Sequence, residues 1–515
     1  MVVRTEVKRD AYYDSVTLML GSSQMMAIEG VDEAMAFMGT ERNGSIIRAS
    51  GLVAEGTPEF GANDTVIGVR AADDAAAQQA LDLLEEFLSK SKKDGSAQVR
   101  PKTLAGAVKA APDSNFSIIS VPGRYARREA EAALDEGLHV LMFSDNVSLR
   151  DEIALKDKAV EKGLLMMGPD CGTAIVNGVA LGFANSVRRG GIGLVAAAGT
   201  GLQEVTVLID RLGGGVSQAL GTGGRDLRKE VGGRMMRLCL EALKDDPATD
   251  VIAFISKPPH PDVVAGMKES LAGIDKPVVV CFLGSGPEAL EGTDVRFAKD
   301  LEQTARIAVE LAGVELPQEG REDELVRTAS REATLFAPGQ RRLRGLYSGG
   351  TLCYEALLAL DELGFEPYSN IPVRPEMGLD DPEASQGNTL LDMGEDYFTD
   401  GLPHPMIDMR RRLARLAQEA EDPEVAVVLL DCVGGYGTHE DPAGTLAPGI
   451  EAARAAAEAA GRHLCVIASV CATESDPQNR GEQEEKLRRA GAIVCDCNAQ
   501  AVRLAGLVLQ NIDAR

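Results

Sequence analysis

Gly193-Leu194-Val195-Ala196-Ala197-Ala198-Gly199-Thr200-Gly201 and Leu343-Arg344-Gly345-Leu346-Tyr347-Ser348-Gly349-Gly350-Thr351 are two versions of one turn. Each is a short apolar run that ends in glycines and a threonine and is followed by helix-forming sequence. That is the pattern of a buried parallel strand feeding a helix. The likeness continues downstream. Asp245-Asp246-Pro247 precedes a strand at Val251–Ser256, and Glu421-Asp422-Pro423 precedes one at Val425–Asp431. Later strands follow at Pro277–Leu283 and His463–Val470. Residues 191–318 and 341–515 therefore read as two copies of one α/β unit joined by a charged connector over 319–340. The second copy carries an insertion around Tyr368–Gln386 and Gly394–Pro405.

Upstream of the copies, 101–190 alternates strands at Phe116–Val121, His139–Phe143 and Leu164–Met167 with amphipathic helices, which predicts a Rossmann-like sheet covered on both faces. Residues 1–100 read as a small β-α-β-β-α module of ferredoxin-like type. Its strands are expected at Ser15–Gly21, Ser45–Ala49 and Thr65–Val69, and its helices at Val31–Met38 and Ala72–Leu88. The polar stretch Ser89–Gln98 reads as a linker.

The chain has 515 residues, enough for several domains with their own cores. Its 53 Lys+Arg against 79 Asp+Glu leave a net charge of −26, which repels phosphate backbones and anionic lipid, so nucleic acid and membrane surfaces are not expected partners. No apolar run approaches the roughly 18–20 residues of a membrane helix. Ser15–Gly21 is too short and polar for an export signal. Nine cysteines with scattered spacing form no disulfide framework and point to a reducing cytoplasm. Cys495-Asp496-Cys497 has no second pair or nearby histidine to make a metal site. Tryptophan is absent and aromatics are 4%, which excludes a base-stacking platform.

Ligands of parallel α/β sheets sit beyond the C-terminal strand ends, where helix N-termini attract anions. Gly199-Thr200-Gly201, Ser348-Gly349-Gly350-Thr351 and Gly221-Thr222-Gly223-Gly224-Arg225 are the turns placed to hold phosphate. No Walker loop and no dinucleotide fingerprint occurs. Met167-Gly168-Pro169-Asp170-Cys171-Gly172-Thr173 is the densest polar turn and also ends a strand. Cys171 lacks a sequence-near histidine to activate it as a nucleophile. In the insertion, Asp392, Glu395 and Asp396 precede His404, which is clamped between Pro403 and Pro405. The acids are candidate Mg²⁺ ligands without the spacing of a known loop, and His404 is a candidate proton carrier.

These residues carry a resemblance. From about 105 to 315 the chain resembles the α subunit of succinyl-CoA synthetase and other NDP-forming acyl-CoA ligases, on Ser120-Val121-Pro122-Gly123, Gly168-Pro169-Asp170-Cys171 and Gly193–Thr200. From 341 onward it resembles the C-terminal domain of the ligase β subunit, on Leu391-Asp392-Met393-Gly394. The whole arrangement, with Gly223–Leu227 and Pro403–Asp408, resembles the FdrA family.

The resemblance implies two flavodoxin-like ligase-type domains with parallel sheets beside a Rossmann-like CoA-binding-type domain. It also implies a cytoplasmic, oligomeric subunit of a carbamoyltransferase that interconverts oxalurate plus phosphate with oxamate plus carbamoyl phosphate, working with further subunits on small anionic substrates. The ligases carry phosphate on a histidine after the strand matching Pro277–Leu283, whereas here Gly284-Ser285-Gly286-Pro287-Glu288 stands. On this reading His404, Arg225 and Asp170 are the catalytic candidates. Gly199, Thr200, Gly201, Gly223, Gly224, Lys257, Ser348, Gly349, Gly350, Thr351, Asp392, Glu395, Cys171, Gly172 and Thr173 are the binding candidates. No metal or cofactor is required, CoA and Mg²⁺ being the two that could enter. The alternatives are an acyl-CoA synthetase with a nucleotide-binding partner and a non-catalytic scaffold.

Overall fold

Side-chain alternation organises the first unit, Met1–Lys102, as β1 (Val2–Lys8), α1 (Ser15–Met26), β2 (Val31–Met38), α2 (Glu41–Ala49), β3 (Thr65–Ala71) and α3 (Asp74–Lys93). This computed structural model describes residues 1–13, 15–93, 101, 103–316, 322–399 and 402–514. The sheet is antiparallel in the order β1-β3-β2, a split β-α-β arrangement. Ala34, Ala36, Ile67, Val69 and Ala71 face Leu18, Met25, Ala77, Leu84 and Leu88 of α1 and α3. Met35, Phe37 and Val66 turn the other way, toward Ile47 and Leu52.

Three expectations are thereby corrected. Ser15–Gly21 begins helix α1 rather than a strand, because Leu18, Ser22 and Met25 recur at helical spacing and the Ser22 hydroxyl bonds the Leu18 carbonyl. Val31–Met38 is a strand rather than a helix, since its alanines and its Met35 and Phe37 bury on opposite faces. Ser45–Ala49 lies in helix α2, started by the Thr40 hydroxyl accepting the Asn43 N–H. α3 runs on through Lys93 into the expected linker, whose residues 94–98 lie outside the described residues.

The second unit starts with α4 (Leu104–Ala110), then β4 (Phe116–Ile119), α5 (Gly123–Asp135), β5 (His139–Met142), α6 (Leu149–Lys162) and β6 (Met166–Met167). Its three strands are parallel in the order β4-β5-β6. The Ser148 hydroxyl caps α6 and Gly163 ends it in the left-handed region. A hairpin follows, β7 (Thr173–Val176) and β8 (Val179–Gly182), and β7 pairs with the next sheet. That sheet therefore recruits residues from 173 onward.

The first copy comprises β9 (Arg189–Ala196), α7 (Gly199–Arg211), β10 (Val216–Gly221), α8 (Arg234–Asp245), β11 (Val251–Ser256), α9 (Pro261–Ala272), β12 (Val278–Phe282), β13 (Arg296–Phe297) and α10 (Leu301–Leu311). In the connector, 317–321 lie outside the described residues and α11 (Glu322–Ala333) packs on the last helix of the chain.

The second copy comprises β14 (Arg342–Tyr347), α12 (Gly350–Glu362), β15 (Tyr368–Ser369), β16 (Thr389–Asp392), α13 (Asp396–Thr399), α14 (Arg410–Glu421), β17 (Val425–Val433), α15 (Pro442–Ala459), β18 (Cys465–Cys471), α16 (Arg480–Arg489), β19 (Ile493–Cys495) and α17 (Asn498–Asp513). The shared strand orders β10-β9-β11-β12-β13 and β16-β14-β17-β18-β19 are the flavodoxin-like 2-1-3-4-5. Within each copy every pairing is parallel.

One apolar core runs through both copies, from Leu194, Leu202 and Ile255 to Leu343, Leu352, Leu429 and Leu504. Polar groups pin it reciprocally. Glu204 of α7 and Glu355 of α12 each stand five residues past the matched glycines Gly199 and Gly350. Glu355 accepts the Leu301 N–H at the start of α10 (2.9 Å), while Glu204 accepts the Asn498 N–H at the start of α17 (3.1 Å). Each copy thus caps the closing helix of the other, and Asn498 Nδ2 donates to Glu355 as well (2.7 Å).

Candidate functional site

The two flavodoxin-like sheets reverse their strand order beside β9 and β14, and that places the starts of α7 and α12 in one crevice. The two predicted turns do meet. A Cβ added at Gly201 would lie 2.8 Å from Thr351 Cγ2, and one at Gly349 would lie 2.9 Å from Thr200 Cγ2. The Thr351 N–H donates to Thr200 Oγ1 at 3.2 Å.

Their chemistry differs, however. At the end of β17, Asp431 accepts the Ser348 N–H (2.9 Å), the Ser348 hydroxyl (3.0 Å) and the Gly349 N–H (2.9 Å). Buried Arg412 holds that carboxylate at 2.6 Å. The donors expected to bind phosphate at Ser348, Gly349 and Thr351 are therefore engaged within the chain, which corrects the symmetric reading. In the first copy, Ile255 stands where Asp431 stands in the second, paired with Ala196 as Asp431 adjoins Tyr347. Neither α7 nor α12 has a side-chain cap of its own, but Gly199 is exposed at the start of α7 whereas Gly349 is buried and Gly350 half-buried at the start of α12. The anion-ready helix start is α7.

Around these starts lie several of the other candidates. Asp392, the last residue of β16, presses its carboxylate against Gly350 and accepts the Gly394 N–H at 2.9 Å. Burial, then the Glu395 charge, push its pKa up to about 7. His404 stacks on Phe183 with ring centroids 5.6 Å apart, and its Nδ1 accepts the Met406 N–H at 3.2 Å. Its Nε2 stands beside Gly394, 2.7 Å from where a Cβ would be. Burial lowers its pKa to about 4, so the ring is neutral at physiological pH. Thr173 donates its hydroxyl to the Phe183 carbonyl and lies next to Gly199.

Asp170 sits in the left-handed region at φ 56°, and loss of hydration, followed by repulsion from Asp145, Glu395 and Asp396, raises its pKa to about 6. Gly172 approaches the Phe183 ring. Lys257 is exposed, its ammonium 5.0 Å above the Tyr354 ring, and its charge counters the rise at Asp392.

Three candidates, Arg225, Gly223 and Cys171, serve the frame instead. Arg225 pairs with Glu152 at 2.9 Å and donates to the Val147 carbonyl at 2.9 Å, in a network with buried Lys156, which pairs with Glu152 and Asp226 at 2.8 Å each. Arg225 still lowers the Asp170 pKa from a distance. Gly223, at φ +86°, packs on Gly168 and Pro169, while Gly224 has open space beside it. Cys171 is buried, donates to the Thr173 and Gly221 carbonyls, and has its thiol pushed up to about 12 by burial, the opposite of an activated nucleophile.

Sequence reading passed over Asp431, Arg412, Phe183 and the Glu204–Glu355 pair. An acid closing the apolar run Val425–Leu430, and two glutamates at equal offsets from matched glycines, were the available signals.

Comparison with known proteins bears on the whole length. The protein YahF of Escherichia coli K12, described as uncharacterized, is 44% identical over 508 residues, 98% of either chain. The chain belongs to the YahF family. Residues 346–508 of the chain match the CoA-ligase family model. The ADP-forming succinate–CoA ligase α subunit of Aquifex aeolicus is 29% identical over 183 residues, which is 33% of this chain and 57% of that subunit. Residues 1–103 match a model described as AllF, heavy metal-associated domain. A dinucleotide-forming acetyl-CoA synthetase from Ca. Korarchaeum cryptofilum aligns over 82% of this chain and 88% of its own at 14% identity, with a TM-score of 0.31.

This YahF-family chain has no histidine or cysteine in its first unit. Its first histidine is His139 and its first cysteine Cys171, and the described residues contain no cluster of three or more His, Cys, Asp or Glu able to hold an ion. The start of α5 has no side-chain cap and carries exposed Arg124 beside Tyr125. No helix among the described residues is long and apolar enough to cross a membrane.

Proposed function

We propose that the chain is the acyl-phosphate-handling subunit of an enzyme of the NDP-forming acyl-CoA ligase type. One observation carries this reading. The uncapped start of α7, Gly199–Gly201, abuts the start of α12, against which Asp392 lies, and Asp392 and Asp170 are two acids raised to about 7 and 6 by burial and by the shared charge of Glu395. Such shifts in a crevice favour acid–base work near neutral pH.

In this proposal the N–H groups of α7 and the Thr173 hydroxyl hold the phosphate, and Lys257 supplies a positive charge. His404, with Nδ1 engaged by Met406, keeps its proton on Nε2 as a neutral donor. Gly350 and Gly394 are there to let Asp392 and His404 approach. CoA bound at Arg124 and the α5 start would supply the thiol that accepts the acyl group. Partner subunits bring the nucleotide site, and nine buried thiols suit a cytoplasmic setting.

A second reading is carbamoyl transfer, with oxalurate and phosphate giving oxamate and carbamoyl phosphate. It is favoured by Gly284–Glu288, which holds no histidine to carry phosphate. It needs neither CoA nor Mg²⁺. Arg225, held by Glu152, serves it only through the effect of its charge on Asp170.

The deciding experiment expresses the chain with its genomic neighbours and assays two mixtures. Thioester formation from ATP, CoA and a carboxylic acid that stops when the chain is omitted supports the ligase. Carbamoyl phosphate formed from oxalurate and phosphate without ATP or CoA supports the carbamoyltransferase. Turnover in either mixture that is unaffected by Thr200→Val and Asp392→Asn would overturn the proposed site.

A further inference from the structure

Away from the crevice, a cavity of about 360 Å³ lies between the two ligase-like copies. One wall is the entry to β9 with the end of α7, carrying Arg188, Asp210 and Arg211. The other is the loop from β18 to α16, carrying Glu474 and Arg480. The walls are stitched together rigidly beside it. Asp476 accepts the Ser186 N–H at 2.6 Å and Asn185 Nδ2 at 2.8 Å, and the Thr473 hydroxyl donates to the Ser186 carbonyl at 2.7 Å.

Three guanidinium groups in one cavity are unexpected on a chain of net charge −26. Arg188 is held by Asp210 at 3.0 Å, and Arg211 donates to the Asp496 carbonyl oxygen and reaches its carboxylate at 3.6 Å. Arg480 stands 2.9 Å from Glu484, but its buried Nε has no aligned hydrogen-bond acceptor. Burial, then repulsion from Arg211, lower its pKa against the opposing pull of Glu484 and Glu474. Arg480 is also the first residue of α16, a ten-residue helix whose start adds partial positive charge.

The group now meeting these donors is Glu474. Its carboxylate is 62% exposed and lies at 3.4 Å from both Arg480 Nε and the Gly481 N–H, longer than a firm charged hydrogen bond. A loosely held carboxylate over a helix start and a guanidinium is an internal stand-in for a stronger anion.

We propose that this cavity binds a small phosphate-bearing anion, which displaces Glu474 and bridges Arg188, Arg211 and Arg480. The cavity takes a diphosphate-sized group, and the planar guanidinium forks suit its oxygens. Because the ligand would join both copies, binding stabilises the folded chain.

The test uses the full-length protein with pyrophosphate, orthophosphate and citrate as probes, read by calorimetric titration and by melting temperature at fixed ionic strength. Pyrophosphate is expected to bind most tightly and to raise the melting temperature. Glu474→Gln, an exposed change that leaves the fold intact, should tighten binding at least threefold by removing the competing carboxylate. Arg188→Gln, whose side chain is 55% exposed, should weaken binding about tenfold. Citrate binding more tightly than pyrophosphate would overturn the phosphate assignment. No binding at 10 mM probe (about 100-fold weaker than a 0.1 mM site) would overturn the site, and so would pyrophosphate binding unchanged in both variants, which would place the anion elsewhere, for example at α7.

Discussion

Asp431 shows how one residue separates two otherwise matched helix starts. Its carboxylate takes the backbone donors of Ser348 and Gly349, and Arg412, fully buried, balances its charge. Removing one member of such a pair leaves a buried charge alone. Asp431→Ala should therefore cost about 3–5 kcal/mol in a denaturant melt. Asp431→Asn also leaves Arg412 unpaired, so it should recover only the part of that loss that comes from the Ser348 and Gly349 donors. Equal losses in the two variants would show that the carboxylate charge is what matters at this position.

At the scale of elements, the reciprocal capping by Glu204 and Glu355 makes a pH-dependent joint. Burial foremost, with repulsion from Asp300, raises the Glu355 pKa to about 8 from an ordinary 4.5. Between those values the folded state keeps a proton that the unfolded chain releases. Stability is therefore greatest at the acid end of this window and falls as pH rises toward 8, by up to about 1.4 kcal/mol per pH unit from this group. Glu355→Gln should flatten that part of the profile in urea melts at pH 5 to 8, and an unchanged slope would remove Glu355 as its source.

The elements themselves were legible in uneven measure. Strands buried on both faces, such as β11 and β17, announce themselves as apolar runs, and glycines mark where each turns into a helix. Val31–Met38 misleads because its small alanines and intervening acids do not make an apolar stripe; the tertiary setting, a helix on either face, decides it. The meeting of Thr200 with Gly349 follows from the duplication. The diversion of Arg225 to Glu152 does not, since their approach depends on how α6 packs beside the Gly223 turn.

For the molecule as a whole, the cores are separate by sequence. The clusters around Leu18 and Ile47 draw only on residues before 89, and the others only on residues from 104 onward. A chain starting at Thr103 should therefore fold, with a melting temperature within a few degrees of the full-length transition of its larger unit. Aggregation or loss of cooperative melting in that truncation would show that the first unit is needed for folding.

The Glu204 and Glu355 caps also have a meaning in terms of mass action. Each copy needs the other to finish its last helix, and both are carried on one polypeptide. Their encounter is a first-order event whose effective concentration is set by the connector, not by how much protein is in the cell. Dilution that would dissociate a two-chain version of this joint leaves it closed, so a crevice formed by α7 and α12 persists at the lowest protein concentrations.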